Sequence, residues 1–162
     1  MNINQSGKNE YDELLQLVSF NLDEEEYGVD ILKVREINKM LPITKIPNSP
    51  SYVEGVINLR GRIIPVVNLR NKMQLTCKEN DKHTRIIVVD LGSKTIGFIV
   101  DRVSEVLRVP KSLMEEPPEF VMNIDSKFIT AVGKLEDRLL ILLDLNKVLL
   151  AEDEIMIQEV AA

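Results

Sequence analysis

The chain has 162 residues, 44% of them apolar, with a formal net charge of -6, one Cys, one His and no Trp. A chain of this length is the size of one domain with a sizeable core, which excludes fibrous, collagen-like and fully disordered classes, and Cys77 alone cannot form an internal disulfide. Met1 to Glu13 is polar, and the longest apolar run, Leu139 to Leu143, is far short of the roughly 18 residues that span a bilayer. The expected setting is cytoplasmic, without membrane insertion. Net acidity opposes general binding to phosphate backbones, which needs clustered Lys and Arg.

The apolar inventory is 20 Leu, 17 Val and 17 Ile against four Ala. β-branched side chains suit a pleated surface and Ala is the best helix former, so the core leans to β. In chain order, residues 1–14 read as a mobile segment with little to dock. Leu17 to Leu22 alternates apolar and polar, Asp23 to Glu26 is a charged tip expected in solvent, and Tyr27 to Ile31 resumes apolar character, which predicts a hairpin. Ile31, Val34 and Ile37 lie three apart, so a helical turn is allowed there. Met40 to Ile46 returns to extended chain, and Pro47 to Pro50 connects. Gly55 to Leu59 and Ile63 to Leu69 flank Arg60-Gly61, a second hairpin with a short turn.

The sequence repeats itself. An offset of 69 lays Leu17–Met40 on Ile86–Val109 without a gap, pairing Leu22 with Leu91, Gly28 with Gly97, Val34 with Val103, Glu36 with Glu105 and Ile37 with Val106. An offset of 76 lays Gly55–Met73 on Ala131–Leu149, pairing Leu59 with Leu135, Arg62 with Arg138 and Leu69 with Leu145. Aliphatic matches are cheap in any β protein, but the Gly and Glu matches are not. The difference between the offsets places seven extra residues in Lys111–Lys127. Two similar halves are predicted, about 15–75 and 83–150, each a small barrel of about five strands with few short helices, packed together on a shared apolar seam. Residues 151–162 read as an acidic, helical tail.

Catalytic signals are thin. No CxxC, GxxxxGK[ST], GxGxxG or HExxH pattern occurs, so neither a metal nor a nucleotide cofactor is expected. His83 and Cys77 both fall in the polar stretch between the halves. Asp30, Asp101 and Asp144 follow apolar stretches and read as solvated or capping residues. A small-barrel nucleic-acid binder would need a positive groove with stacking aromatics, and seven Phe and Tyr at net negative charge do not supply it.

Two long segments carry a resemblance. Tyr27-Gly28-Val29-Asp30-Ile31-Leu32-Lys33-Val34-Arg35-Glu36-Ile37 and Gly55-Val56-Ile57-Asn58-Leu59-Arg60-Gly61-Arg62-Ile63-Ile64-Pro65-Val66-Val67-Asn68-Leu69-Arg70, with Ile96–Val103 and Asp137–Asp144 further on, resemble the signatures of the CheW family of bacterial chemotaxis coupling proteins. The similarity runs from about Leu17 to Leu150, with Asn68 where the family often has Asp. It implies a mainly β fold of two SH3-like barrels. It also implies a non-enzymatic adaptor, without a cofactor, that joins methyl-accepting chemoreceptors to the regulatory domain of the histidine kinase CheA. Ring or array assembly with itself or the kinase is a further implication, as is recruitment to membrane-associated receptor arrays. A CheW-like module of another two-component signalling complex is the alternative.

By the same resemblance, Val34, Glu36, Arg60 and Gly61 fall on the receptor side, with Val103 and Val106, the repeat mates of Val34 and Ile37, and Gly55, Arg62 and Phe120 fall near the kinase side. Each has an ordinary competitor. Arg60 is either a contact or a solvated turn residue, Val34 a contact or core, and Phe120 an anchor or a lid on its own barrel. The mates of Arg60 and Gly61 are Glu136 and Asp137, so one turn is basic and the other acidic, and the two ends should prefer different partners.

Overall fold

The computed structural model describes residues 13–117 and 128–149. Phe120, most of residues 1–14 and the 151–162 tail therefore lie outside the described residues. The chain is mainly β. Strands β1 (Leu14–Leu22) and β2 (Glu25–Asp30) form the first hairpin, and a 3-10 turn at Ile31–Lys33 leads into β3 (Val34–Lys39). The allowed helical turn is thus only three residues long, because Val34–Lys39 pairs with β6 as a strand instead. Next come β4 (Val53–Leu59), β5 (Arg62–Asn68) and a short helix at Leu69–Lys72, then β6 (Arg85–Leu91), β7 (Lys94–Val100), β8 (Arg102–Pro110), a second 3-10 turn, β9 (Met114–Glu115), β10 (Ile129–Lys134), β11 (Leu139–Leu143) and a helix at Leu145–Val148.

Two sheets result, in the orders β8-β1-β2-β11-β10-β9 and β3-β6-β7-β5-β4, and they fit the expected pair of barrels. Under the sequence repeat, β3, β6, β7, β5 and β4 correspond to β8, β1, β2, β11 and β10, so the strand order is the same in both. The register agrees too: Leu142 lies beside Gly28 in one parallel pair and Val66 beside Gly97 in the other. Even the bulge recurs: Arg35 is the extra residue of β3 opposite β6, and its repeat mate Ser104 is the extra residue of β8 opposite β1.

The sheets do not coincide with the sequence halves 15–75 and 83–150. β1 and β2 of the first half sit among β8 to β11, and β6 and β7 of the second sit among β3, β4 and β5. Each half gives its first hairpin to the other. The physical reason is visible in β1, which pairs with β8 from Leu14 opposite Pro110 to Asn21 opposite Arg102, a longer ladder than its own hairpin supplies. The expected shared seam is accordingly a shared core: Phe20, Val29, Val67, Ile87, Phe98 and Leu143, drawn from both sheets and both halves, belong to one buried cluster.

Candidate functional site

The β4–β5 hairpin is closed by Arg60-Gly61, both at positive φ (53° and 85°), as a type I′ connection requires. Asn58 supports it by accepting the Gly61 N–H at 2.8 Å. With the backbone so fixed, the Arg60 side chain reaches β3 and donates two bonds to Glu36, Nη1 to Oε2 at 2.6 Å and Nη2 to Oε1 at 3.0 Å. This fork-on-carboxylate geometry is the strong form of an ion pair. It holds the Glu36 carboxyl below its ordinary range, chiefly through the Arg60 hydrogen bond. Arg60 is 73% exposed and Glu36 19%, so the pair presents a guanidinium face outward. Glu36, Arg60 and Gly61 are therefore brought together.

Val34 and Val103 are partly buried and pack against the main core, whereas Val106 is 56% exposed. Of these three valines, two fill the interior and only Val106 is open to a partner. Gly55 is buried at φ 145°, and a Cβ there would lie 2.1 Å from the Thr44 carbonyl oxygen. Thr44 and Val56 exchange two backbone hydrogen bonds at 2.9 Å. Close approach of the β3–β4 connection is what requires glycine at position 55. Arg62 is exposed and donates to Thr95 Oγ1 at 3.3 Å.

The acidic tip is not wholly solvated. Glu26 is half-buried and accepts from the Ser19 hydroxyl and from Arg138 Nε, the latter at 2.5 Å. Arg138 also meets Asp137 at 2.9 Å and Glu105 at 3.6 Å. Asp30 and Asp144 cap the turns that follow them, accepting from the Leu32 and Asn146 N–H groups at 3.0 Å. Asp101 differs, being buried and bonded by Arg70 Nη1 at 2.8 Å and by the Asp23 N–H at 2.7 Å. The same guanidinium reaches Asp23 Oδ1 at 2.7 Å and the Thr76 carbonyl through Nε and Nη2 at 2.9 and 2.6 Å. This buried network joins the β1–β2 turn, the β7–β8 crossover and the linker.

The residues that line one groove at the seam escape a reading of the sequence. Where the chain passes from one sheet to the other, Leu14, Leu15, Leu17, Ile31, Leu32 and Leu142 line a groove of about 280 Å³. Leu32 is 87% exposed and Leu14 57%. The available signal is Asp30-Ile31-Leu32-Lys33, where two large aliphatic residues follow a capping Asp on a turn too short to bury both.

Known proteins share this architecture. Residues 16–153 match the family model described as a CheW-like domain. The chain is 38% identical over 146 residues to the chemotaxis protein CheW of Klebsiella aerogenes, covering 90% of this chain and 88% of that one. It is 36% identical to that of Thermotoga maritima, covering 89% and 91%. The crystal structure of the scaffolding protein TtCheW from Thermoanaerobacter tengcongensis superposes with a TM-score of 0.80 at 38% identity, covering 86% of this chain and 95% of that one. Duplicated barrels with exchanged hairpins, the Asn58–Gly61 turn and these matches agree: the chain belongs to the CheW family.

Proposed function

We propose that this protein is a non-enzymatic adaptor that holds methyl-accepting chemoreceptor tips against the regulatory domain of the histidine kinase CheA. The observation that carries the reading is the apolar groove at the sheet crossing, where two exposed leucines, Leu14 and Leu32, stand side by side on its lining. A helix laid in an apolar groove is a common recognition mode, and a receptor tip is helical. Leu32, the most exposed large apolar residue among the described residues, is the natural anchor.

The Glu36–Arg60 pair with Gly61 forms a second, charged element of the receptor side, and Val106, the exposed repeat mate of Ile37, is an apolar one on the other sheet. Val34, Val103 and Gly55 act from beneath, by shaping the strands that present those residues. Arg62, with Phe120 from outside the described residues, belongs to the kinase side. Assembly into rings or arrays with the kinase, at receptors in the membrane, follows from barrels whose two ends differ in charge.

Binding of a receptor cytoplasmic fragment to wild type, Leu32→Asp and Arg60→Glu tests the reading. Leu32→Asp should weaken binding by about tenfold or more, and Arg60→Glu should weaken it while lowering the thermal midpoint by only a few degrees, the loss of its pair with Glu36. Unchanged affinity in both variants would remove the receptor site from this face.

A further inference from the structure

The internal repeat supplies a control for Arg62. Its mate is Arg138, and three carboxylates surround that guanidinium: Glu26 at 2.5 Å, Asp137 at 2.9 Å and Glu105 at 3.6 Å. Each of those positions has a counterpart around Arg62. Glu26 becomes Thr95, Asp137 becomes Gly61, and Glu105 becomes Glu36. Thr95 still meets Arg62, at 3.3 Å, but brings no charge, and Gly61 brings no side chain. Glu36 keeps its carboxylate, yet both oxygens are occupied by Arg60. The scaffold and the Arg are the same, the three counter-ions have been replaced or taken, and the further carboxylate nearby, Asp90, is engaged by Thr95 at 2.8 Å and Arg35 at 3.4 Å.

We infer that Arg62 is a binding residue whose counter-ion comes from the partner, a carboxylate side chain on the protein that covers this face. Among the described residues no carboxylate pairs with it, and it is exposed. Arg60, two residues away, is engaged by Glu36, so the positive charge left uncompensated at the hairpin tip is that of Arg62. A planar guanidinium takes a carboxylate through two parallel hydrogen bonds, which adds orientation to attraction. The equivalent tip of the other barrel carries Glu136 and Asp137 and satisfies Arg138 from within. Charge complementarity therefore sends an acidic partner surface to the first tip and away from the second. This deepens the adaptor reading and rests on it, since the partner there is the kinase regulatory domain.

The test uses the full chain with Arg62→Gln, Arg62→Lys and Arg62→Glu, and Arg138→Gln for comparison. Affinity for a CheA regulatory-domain fragment is measured at two salt concentrations, and affinity for a receptor fragment and thermal midpoint are measured alongside. Arg62→Gln should weaken kinase-domain binding about tenfold and flatten its salt dependence. Arg62→Glu should weaken it further and Arg62→Lys should restore part, with receptor affinity and midpoint unchanged, while Arg138→Gln lowers the midpoint. Kinase-domain affinity that ignores Arg62→Gln overturns the inference and leaves the adaptor reading standing. A midpoint lowered by Arg62→Gln also overturns it, by showing that the chain itself supplies the carboxylate. Wild-type protein that is folded and binds no kinase domain overturns both.

Discussion

At the scale of single residues, the Glu36–Arg60 pair makes a prediction with a definite sign. Two hydrogen bonds from Arg60 favour the charged form of Glu36 and lower its pKa. A carboxylate with a depressed folded pKa contributes stability that is present above its unfolded value, near 4.3, and lost as pH falls through the lower folded value. An NMR titration should therefore place the Glu36 midpoint below that of an ordinary exposed Glu, and Arg60→Gln should move it back up. Gly55 makes a second. Its positive φ, and a Thr44 oxygen 2.1 Å from where a Cβ would stand, leave no room for a side chain, so Gly55→Ala should cost about 3 kcal/mol or more in a denaturation experiment. The Arg60-Gly61 turn is legible in the sequence because a Gly between two apolar runs has a local meaning. The Glu36 partnership is not, because the two residues are 24 apart and meet only through the bend of the sheet. The burial of Asp101 is hidden for the same reason: its partner Arg70 lies 31 residues away.

At the scale of elements, the hairpins can be read from alternation and turn chemistry, and the repeat aligns them. Pairing Gly28 with Gly97 implies matched close contacts, and the structure has them: Gly28 faces Leu17 and Leu140, and Gly97 faces Ile86 and Val66. A Cβ at Gly97 would stand 2.8 Å from Ile86 Cγ2 and one at Gly28 would stand 3.3 Å from Leu17 Cδ1. Gly97→Ala should thus lower the thermal midpoint more than Gly28→Ala does. The Arg70 network acts at this scale too, tying a turn, a crossover and a linker together. Removing Arg70 leaves the buried Asp101 with only the more distant Lys78 Nζ, at 3.7 Å, as a cation, so Arg70→Met should cost about 3 kcal/mol by denaturant titration, a loss that an exposed Arg would not cause. What periodicity does not reveal is the exposure of Leu32, because a three-residue turn has no face that a sequence pattern can assign.

At the scale of the whole molecule, the repeat identifies two equivalent units but not their boundaries. Contiguous halves and exchanged hairpins have the same sequence signature, and only the pairing of β1 with β8 and of β3 with β6 separates them. The exchange means that neither sequence half closes a sheet by itself. Cutting the exposed linker between Lys78 and Lys82 should give two fragments that are each unfolded alone and regain native circular dichroism on mixing, whereas a fragment folded by itself would contradict the interlocked topology. The proposed function at this scale is bridging, and a direct measurement is capture of a receptor cytoplasmic fragment on an immobilised CheA regulatory domain, with and without this protein. The account predicts that the receptor fragment is retained only when the protein is present, and that Leu32→Asp and Arg62→Glu each abolish retention, one by losing the receptor and the other by losing the kinase domain. Retention that is indifferent to the protein, or absent with folded wild type, would contradict the adaptor role.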